Sequence, residues 1–178
     1  MNGNDSVLVR VLKTLETAAL WVSAVCLVAM TAAITWQVFG RFVLNSSPSW
    51  TEPVSLLLML YFILLAAAVG VRERFHLGLD LLRYAVSPRV NKILDAVNFA
   101  IVGAFGVAMV WFGGQLMIGT WGTPVPVLGT PEGLNHLPMV LAGILITLFS
   151  LEHLLVLFGF GSDAEFGEFK PDLSEIAE

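Results

Sequence analysis

The chain has 178 residues, 57% hydrophobic and only 13% charged, with a mean hydropathy of +0.82. That charged share is about half that of a soluble domain, which excludes a water-soluble globule and points to one bundle of apolar helices. The net charge of −5 arises from Asp163, Glu165, Glu168, Asp172, Glu175 and Glu178 set against Lys170, an acidic tail at 161–178, so a nucleic-acid partner is not indicated.

In chain order, residues 7–16 place Val7, Leu8, Val11, Leu12 and Leu15 at helical spacing with Arg10, Lys13 and Glu16 between them, the pattern of a short interfacial helix. The charge-free run 17–40 holds 24 residues, about 36 Å as a helix, and is read as the first span. It is too long for the apolar region of a signal peptide. After Arg41, Asn45-Ser46-Ser47-Pro48 is turn chemistry, and Ser49 to Glu52 has capping-box spacing, with Thr51 as a rival cap because Pro53 follows. The second span is expected at 50–71, with Ala66 and Gly70 as a small-residue contact face.

Residues 75–86 are too short and too charged to span and read as a surface-lying segment. Ser87-Pro88 restarts a helix that leads into a third span at 96–118, with Gly103, Gly106 and Ala108 at packing positions. The link 119–138 carries four prolines and four glycines and reads as an ordered or re-entrant loop. A fourth span is expected at 137–160, completing one membrane domain over 1–160. The fold class is therefore an all-α integral membrane protein with four transmembrane helices. Lys and Arg number 2, 5 and 1 in the N-terminus, the second link and the C-terminus, against 1 and 0 in the other links. The positive-inside rule then places both termini in the cytoplasm.

Ionisable groups near membrane depth are the functional candidates. Gln37 and Arg41 share a helix face, and Glu52 begins the next helix. An Arg41–Glu52 pair pinning the first hairpin is the preferred reading, and an unpaired Arg41 snorkelling to headgroups is its rival. His76 and Asp80, near Arg72, Arg74 and Arg83, suit either lipid phosphate and acidic groups of a partner or a solvated, topology-setting face. His136 and His153 are expected to be buried and satisfied, or interfacial. Trp36, Trp50, Trp111 and Trp121 read as an interfacial belt, with Arg83 as a further anchor.

Enzyme classes lack their residues. Cys26 is the only cysteine, so paired-thiol chemistry is absent. His76 and His136 fall on opposite sides of the membrane and cannot both ligate one haem. No phosphate loop or zinc motif occurs, and no cofactor is indicated. A self-sufficient channel or carrier needs midplane polar groups, of which Asn98 and Gln115 are nearly all that is present. Plain spans with small-residue faces fit an accessory subunit of a membrane complex best.

The run Trp36-Gln37-Val38-Phe39-Gly40-Arg41-Phe42-Val43-Leu44-Asn45, then Trp50-Thr51-Glu52, then residues 72–76 followed by Leu77-Gly78-Leu79-Asp80, resembles the small DctQ-like membrane subunit of tripartite ATP-independent periplasmic (TRAP) transporters, over residues 10–160 in layout. Where that family often has a second acid after Glu52, this chain has Pro53. The resemblance implies a bacterial inner-membrane system in which a periplasmic binding protein delivers an organic anion, a carboxylate or sugar acid, to a large sodium-coupled membrane subunit. The small subunit would scaffold the large one, with Arg41, Trp50, Glu52, His76 and Asp80 in structural or interface roles.

Overall fold

The computed structural model describes residues 3–46, 48–73 and 88–157, with side chains from residue 10 and, after the second gap, from residue 90. It is all-helical in its regular structure: α1 (Gly3–Phe42), α2 (Thr51–Arg72), α3 (Pro88–Gly119), a 3-10 turn (Glu132–Asn135) and α4 (Leu137–Leu157). Four of these helices are long and apolar enough to cross a membrane. The expected surface segment 75–86, with Arg74, His76, Asp80 and Arg83, lies outside the described residues, as do Ser87 and the acidic tail.

The helices form a row. α1 packs on α2, α2 on α4, and α4 on α3, while α1 barely reaches α4. Spatial order is therefore α1, α2, α4, α3. The two inner members have 22 and 21 residues, about 33 Å each, a close match to a hydrocarbon core of about 30 Å. The outer members, with 40 and 32 residues, are about 60 and 48 Å long and can cross only by tilting or by projecting from the bilayer.

The first helix differs from expectation. Residues 7–16 are not a separate interfacial element but the opening turns of one continuous helix. No Gly or Pro interrupts the junction, and the hydroxyls of Thr14 and Thr17 donate to the carbonyls of Arg10 and Lys13, 2.9 Å each, within the helical ladder. α1 closes where Asn45 takes a left-handed φ of 49° and the Ser46 amide donates to the Gly40 carbonyl. Only glycine fits at 40, since a Cβ there would sit 2.8 Å from the Ser46 carbonyl oxygen.

The capping box at Ser49 to Glu52 does not form. α2 begins at Thr51 without a side-chain cap, and the Thr51 hydroxyl, fully buried, donates back to the Pro48 carbonyl at 2.8 Å. The contact face of α2 is also shifted. Leu65, Ala68 and Val69 are buried, whereas a side chain at Gly70 would meet open space. Ala68, with Leu64 and Val71 beside it, packs against Ala142 and Ile146 of α4, so the face towards α4 is not the Ala66–Gly70 small pair.

α3 and α4 meet through backbone. A Cβ at Gly106 would lie 3.0 Å from the Gly143 carbonyl oxygen, and one at Gly143 would lie 2.8 Å from that of Gly106. Such approach gives van der Waals contact where lipid supplies no hydrophobic drive. Ala68, Met109, Ala142 and Ile146 form the buried apolar centre across α2, α4 and α3.

Candidate functional site

The strongest polar constellation lies where α2 and α4 end. Arg72, in the last turn of α2, directs its Nε to Glu152 Oε2 at 3.1 Å and its Nη2 to Glu152 Oε1 at 3.3 Å. Its remaining nitrogen, Nη1, donates to Glu16 of α1. One guanidinium therefore ties three helices, and the planar fork of arginine is what makes the two-sided grip on Glu152 feasible. The Arg72 and Glu152 side chains are 10% and 3% exposed, and that of Glu16 is 16% exposed.

The surrounding groups hold this cation in place. Arg72 Cζ stands 5.6 Å from the centroid of the fully buried Phe149 ring, a cation–π distance. The neighbouring His153, also buried, brings its Nε2 within 3.1 Å of the Arg72 carbonyl. Its ring stacks on Phe99 of α3 at 4.4 Å between centroids. An Nε2–H tautomer donates to that carbonyl, one of the four that a helix C-terminus leaves without an intrahelical partner. All four helices thus contribute side chains to the cluster.

A second interhelical bond lies deeper. Ser23 of α1 donates to the Phe62 carbonyl of α2 at 2.9 Å. On the lipid side of α3 and α4, an open groove of about 520 Å³ is lined by Val107, Trp111, Gln115, Ile144 and Thr147, among others. Thr147 donates to its own helix at Gly143. Among the described residues no group of three His, Cys, Asp or Glu side chains is placed to hold a metal ion. The arrangement can clamp helices together; nothing in it supplies a nucleophile beside a base.

Among the described residues, Arg72 is the predicted interface residue that the structure brings into this cluster, together with His153, which is buried and satisfied as expected. Arg41 and Glu52 are both exposed, and no ion pair joins them, so the expected hairpin pin is not present. The reason is local: the Ser46 amide bonds the Gly40 carbonyl and the Thr51 hydroxyl bonds the Pro48 carbonyl, and a hairpin already closed needs no ionic clasp. Gln37 is half-buried on α1. Trp36, Trp50 and Trp121 are half-exposed near the end where α1 finishes and α4 begins. Trp111, two-thirds exposed, lies eight residues before the end of α3, about 12 Å along the helix axis from it.

Sequence reading passed over Glu16 and Glu152 as partners. The signal was present: Glu152-His153 is the only ionisable pair inside α4, and ionisable groups within a span pair with one another. Distance along the chain favoured Arg41 with Glu52, whereas the real partners are 56 and 80 residues apart.

The family model described as tripartite ATP-independent periplasmic transporters, DctQ component, matches residues 30–159. The chain is similar to a C4-dicarboxylate TRAP transporter small permease protein of Vibrio cholerae, 28% identical over 52% of this chain and 37% of that protein. It is also similar to a putative TRAP transporter small permease protein of Haemophilus influenzae, 25% identical over 72% of this chain and 80% of that protein. A sialic acid TRAP transporter small permease protein of Vibrio cholerae is 25% identical over 46% of this chain and 48% of its own length. The chain thus spans well under two thirds of the length of two of these relatives.

Proposed function

The chain belongs to the DctQ component family of tripartite ATP-independent periplasmic transporters, and on that premise we propose that it is the small permease subunit that braces a large membrane subunit. The large subunit would carry out sodium-coupled uptake of an organic anion delivered by a periplasmic binding protein. Relatives named for C4-dicarboxylates and for sialic acid support the carboxylate class of cargo without choosing within it.

The observation that carries this reading is the single row of helices tied at one end by Arg72. A row, unlike a closed bundle, keeps two broad apolar faces uncovered, and a transport domain that moves needs a fixed, wide partner in the bilayer. The buried ion pairs of Arg72 with Glu16 and Glu152 hold helices to one another, which favours a brace over a conduit. With lysine and arginine concentrated in the N-terminus and the second link, the Arg72 end faces the cytoplasm in this reading, and both termini lie there. The 120–136 link then faces the periplasm, the side from which the binding protein delivers its cargo.

The test is purification of the tagged chain from native membranes in mild detergent, with mass identification of what stays bound. A large, very hydrophobic subunit in equal amount is the expected result. A monodisperse four-helix protein without companion would overturn the proposal in favour of a self-sufficient channel or carrier.

A further inference from the structure

Between α3 and α4 the chain makes an excursion of unusual chemistry. Residues 120–131 contain no ionisable side chain. They fold as a hairpin pinched by a bridge between Pro124 and Pro131. Three prolines, 124, 126 and 131, carry no N–H, and the amides of Val125 and Gly129 donate within the hairpin to Thr130 and Val125, at 2.8 and 3.0 Å. The amide of Glu132 returns to the Thr123 carbonyl at 2.8 Å. Much of the polar backbone is thereby removed or satisfied, the condition under which irregular chain is tolerated next to hydrocarbon.

The apex is apolar, with Val127 exposed and Leu128 half-buried. Val127 is 63% accessible with φ at 76°, a conformation that a β-branched residue adopts only when its surroundings impose it. Trp121 lies against Gly133, where a Cβ would come within 2.8 Å of the indole, and is still half-exposed. The hairpin directly follows the last turns of α3, where Ile118 and Trp111 are strongly exposed.

We propose that this hairpin is a membrane-contacting wedge. Its apex, Val127 and Leu128, seats at the boundary of headgroups and acyl chains in the leaflet where α3 ends and α4 begins, with Trp121 as its anchor. The occupant is a lipid surface because the segment carries no charge to pair with a soluble protein and runs directly between two membrane-crossing helices. The turn after α1 also exposes Val43 and Leu44, but it carries polar Asn45 and Ser46 and is flanked by exposed Arg41 and Glu52, charges that residues 120–131 lack. This inference does not depend on the transport reading.

The experiment places a bimane label at Val127→Cys, in a Cys26→Ala background, on the full chain in phosphatidylethanolamine and phosphatidylglycerol vesicles. Asn45→Cys is the comparator, and Leu128→Cys is a second apex position should the first variant fold poorly. Quenching by lipids with a doxyl group high on the acyl chain is expected to be several-fold stronger at the apex than at residue 45, and quenching by aqueous iodide several-fold weaker. Equal iodide quenching at both places would overturn the proposal. So would an apex label open to iodide in vesicles and shielded only on adding the periplasmic binding protein, which would make the hairpin a protein-docking surface.

Discussion

The two ends of the helix row use charge in opposite ways. At the Arg72 end, one cation and two carboxylates are withdrawn from solvent and locked between helices. At the other end, Arg41 and Glu52 stand exposed on either side of a turn that closes without them. An arginine and a glutamate that are neighbours in sequence do nothing for one another here, while an arginine with partners in distant helices organises the fold. Burial decides the matter: a desolvated charge must find its partner, and a solvated one gains little from doing so.

The largest test of this contrast is Arg72→Met. Removing the cation leaves two carboxylates facing each other in a site shielded from water, and stability should fall by about 3–5 kcal/mol. Thermal unfolding of the detergent-solubilised chain, followed by circular dichroism, would measure it. Arg72→Lys should recover only part of the loss, because an ammonium cannot reproduce the fork on Glu152. An Arg72→Met protein that melts with the parent would mean that the cluster is incidental.

Glu152→Gln and Glu16→Gln grade the same site. Glu152 accepts two bonds from Arg72 and is nearly inaccessible, whereas Glu16 accepts one and is partly wet. Neutralising Glu152 should weaken the fold by about 1.5–3 kcal/mol, with a smaller loss at Glu16. The same melting experiment ranks them, and a reversed order would show that α1, not α4, is the main partner of Arg72. At the opposite end, Thr51→Val deletes the hydroxyl that satisfies the Pro48 carbonyl and should lose about 1 kcal/mol. Smallest of all, Arg41→Glu should shift stability by less than about 0.5 kcal/mol, and Glu52→Arg should not correct any defect it causes in complex yield. Rescue in that double variant would restore the ionic hairpin that the structure does not contain.

Much of this architecture was legible before any coordinates. Long apolar runs marked all four spans, three of them free of charge, and Pro88 and the Pro-rich link marked where helices start and stop, because backbone chemistry acts locally. What stayed hidden was non-local. Glu16 looked like the edge of an amphipathic segment, and nothing near it announced Arg72. The join at residue 16 was read as a boundary because polarity changes there, although the helical ladder runs through. Ala66 and Gly70 fit a packing motif, but the face α2 buries is chosen by its neighbours α1 and α4 together, which the local pattern does not see.

The order of the row has a consequence for how the protein is made. α4, the last of the four described helices in chain order, sits between α2 and α3 and supplies most of the contacts that either makes beyond the α1–α2 hairpin. Until it arrives, α3 waits in the bilayer without its packing partner and Arg72 lacks its bidentate carboxylate. The row therefore assembles by intercalation rather than by adding helices in sequence, and translation truncated before residue 137 would leave two unjoined pieces for quality-control proteases.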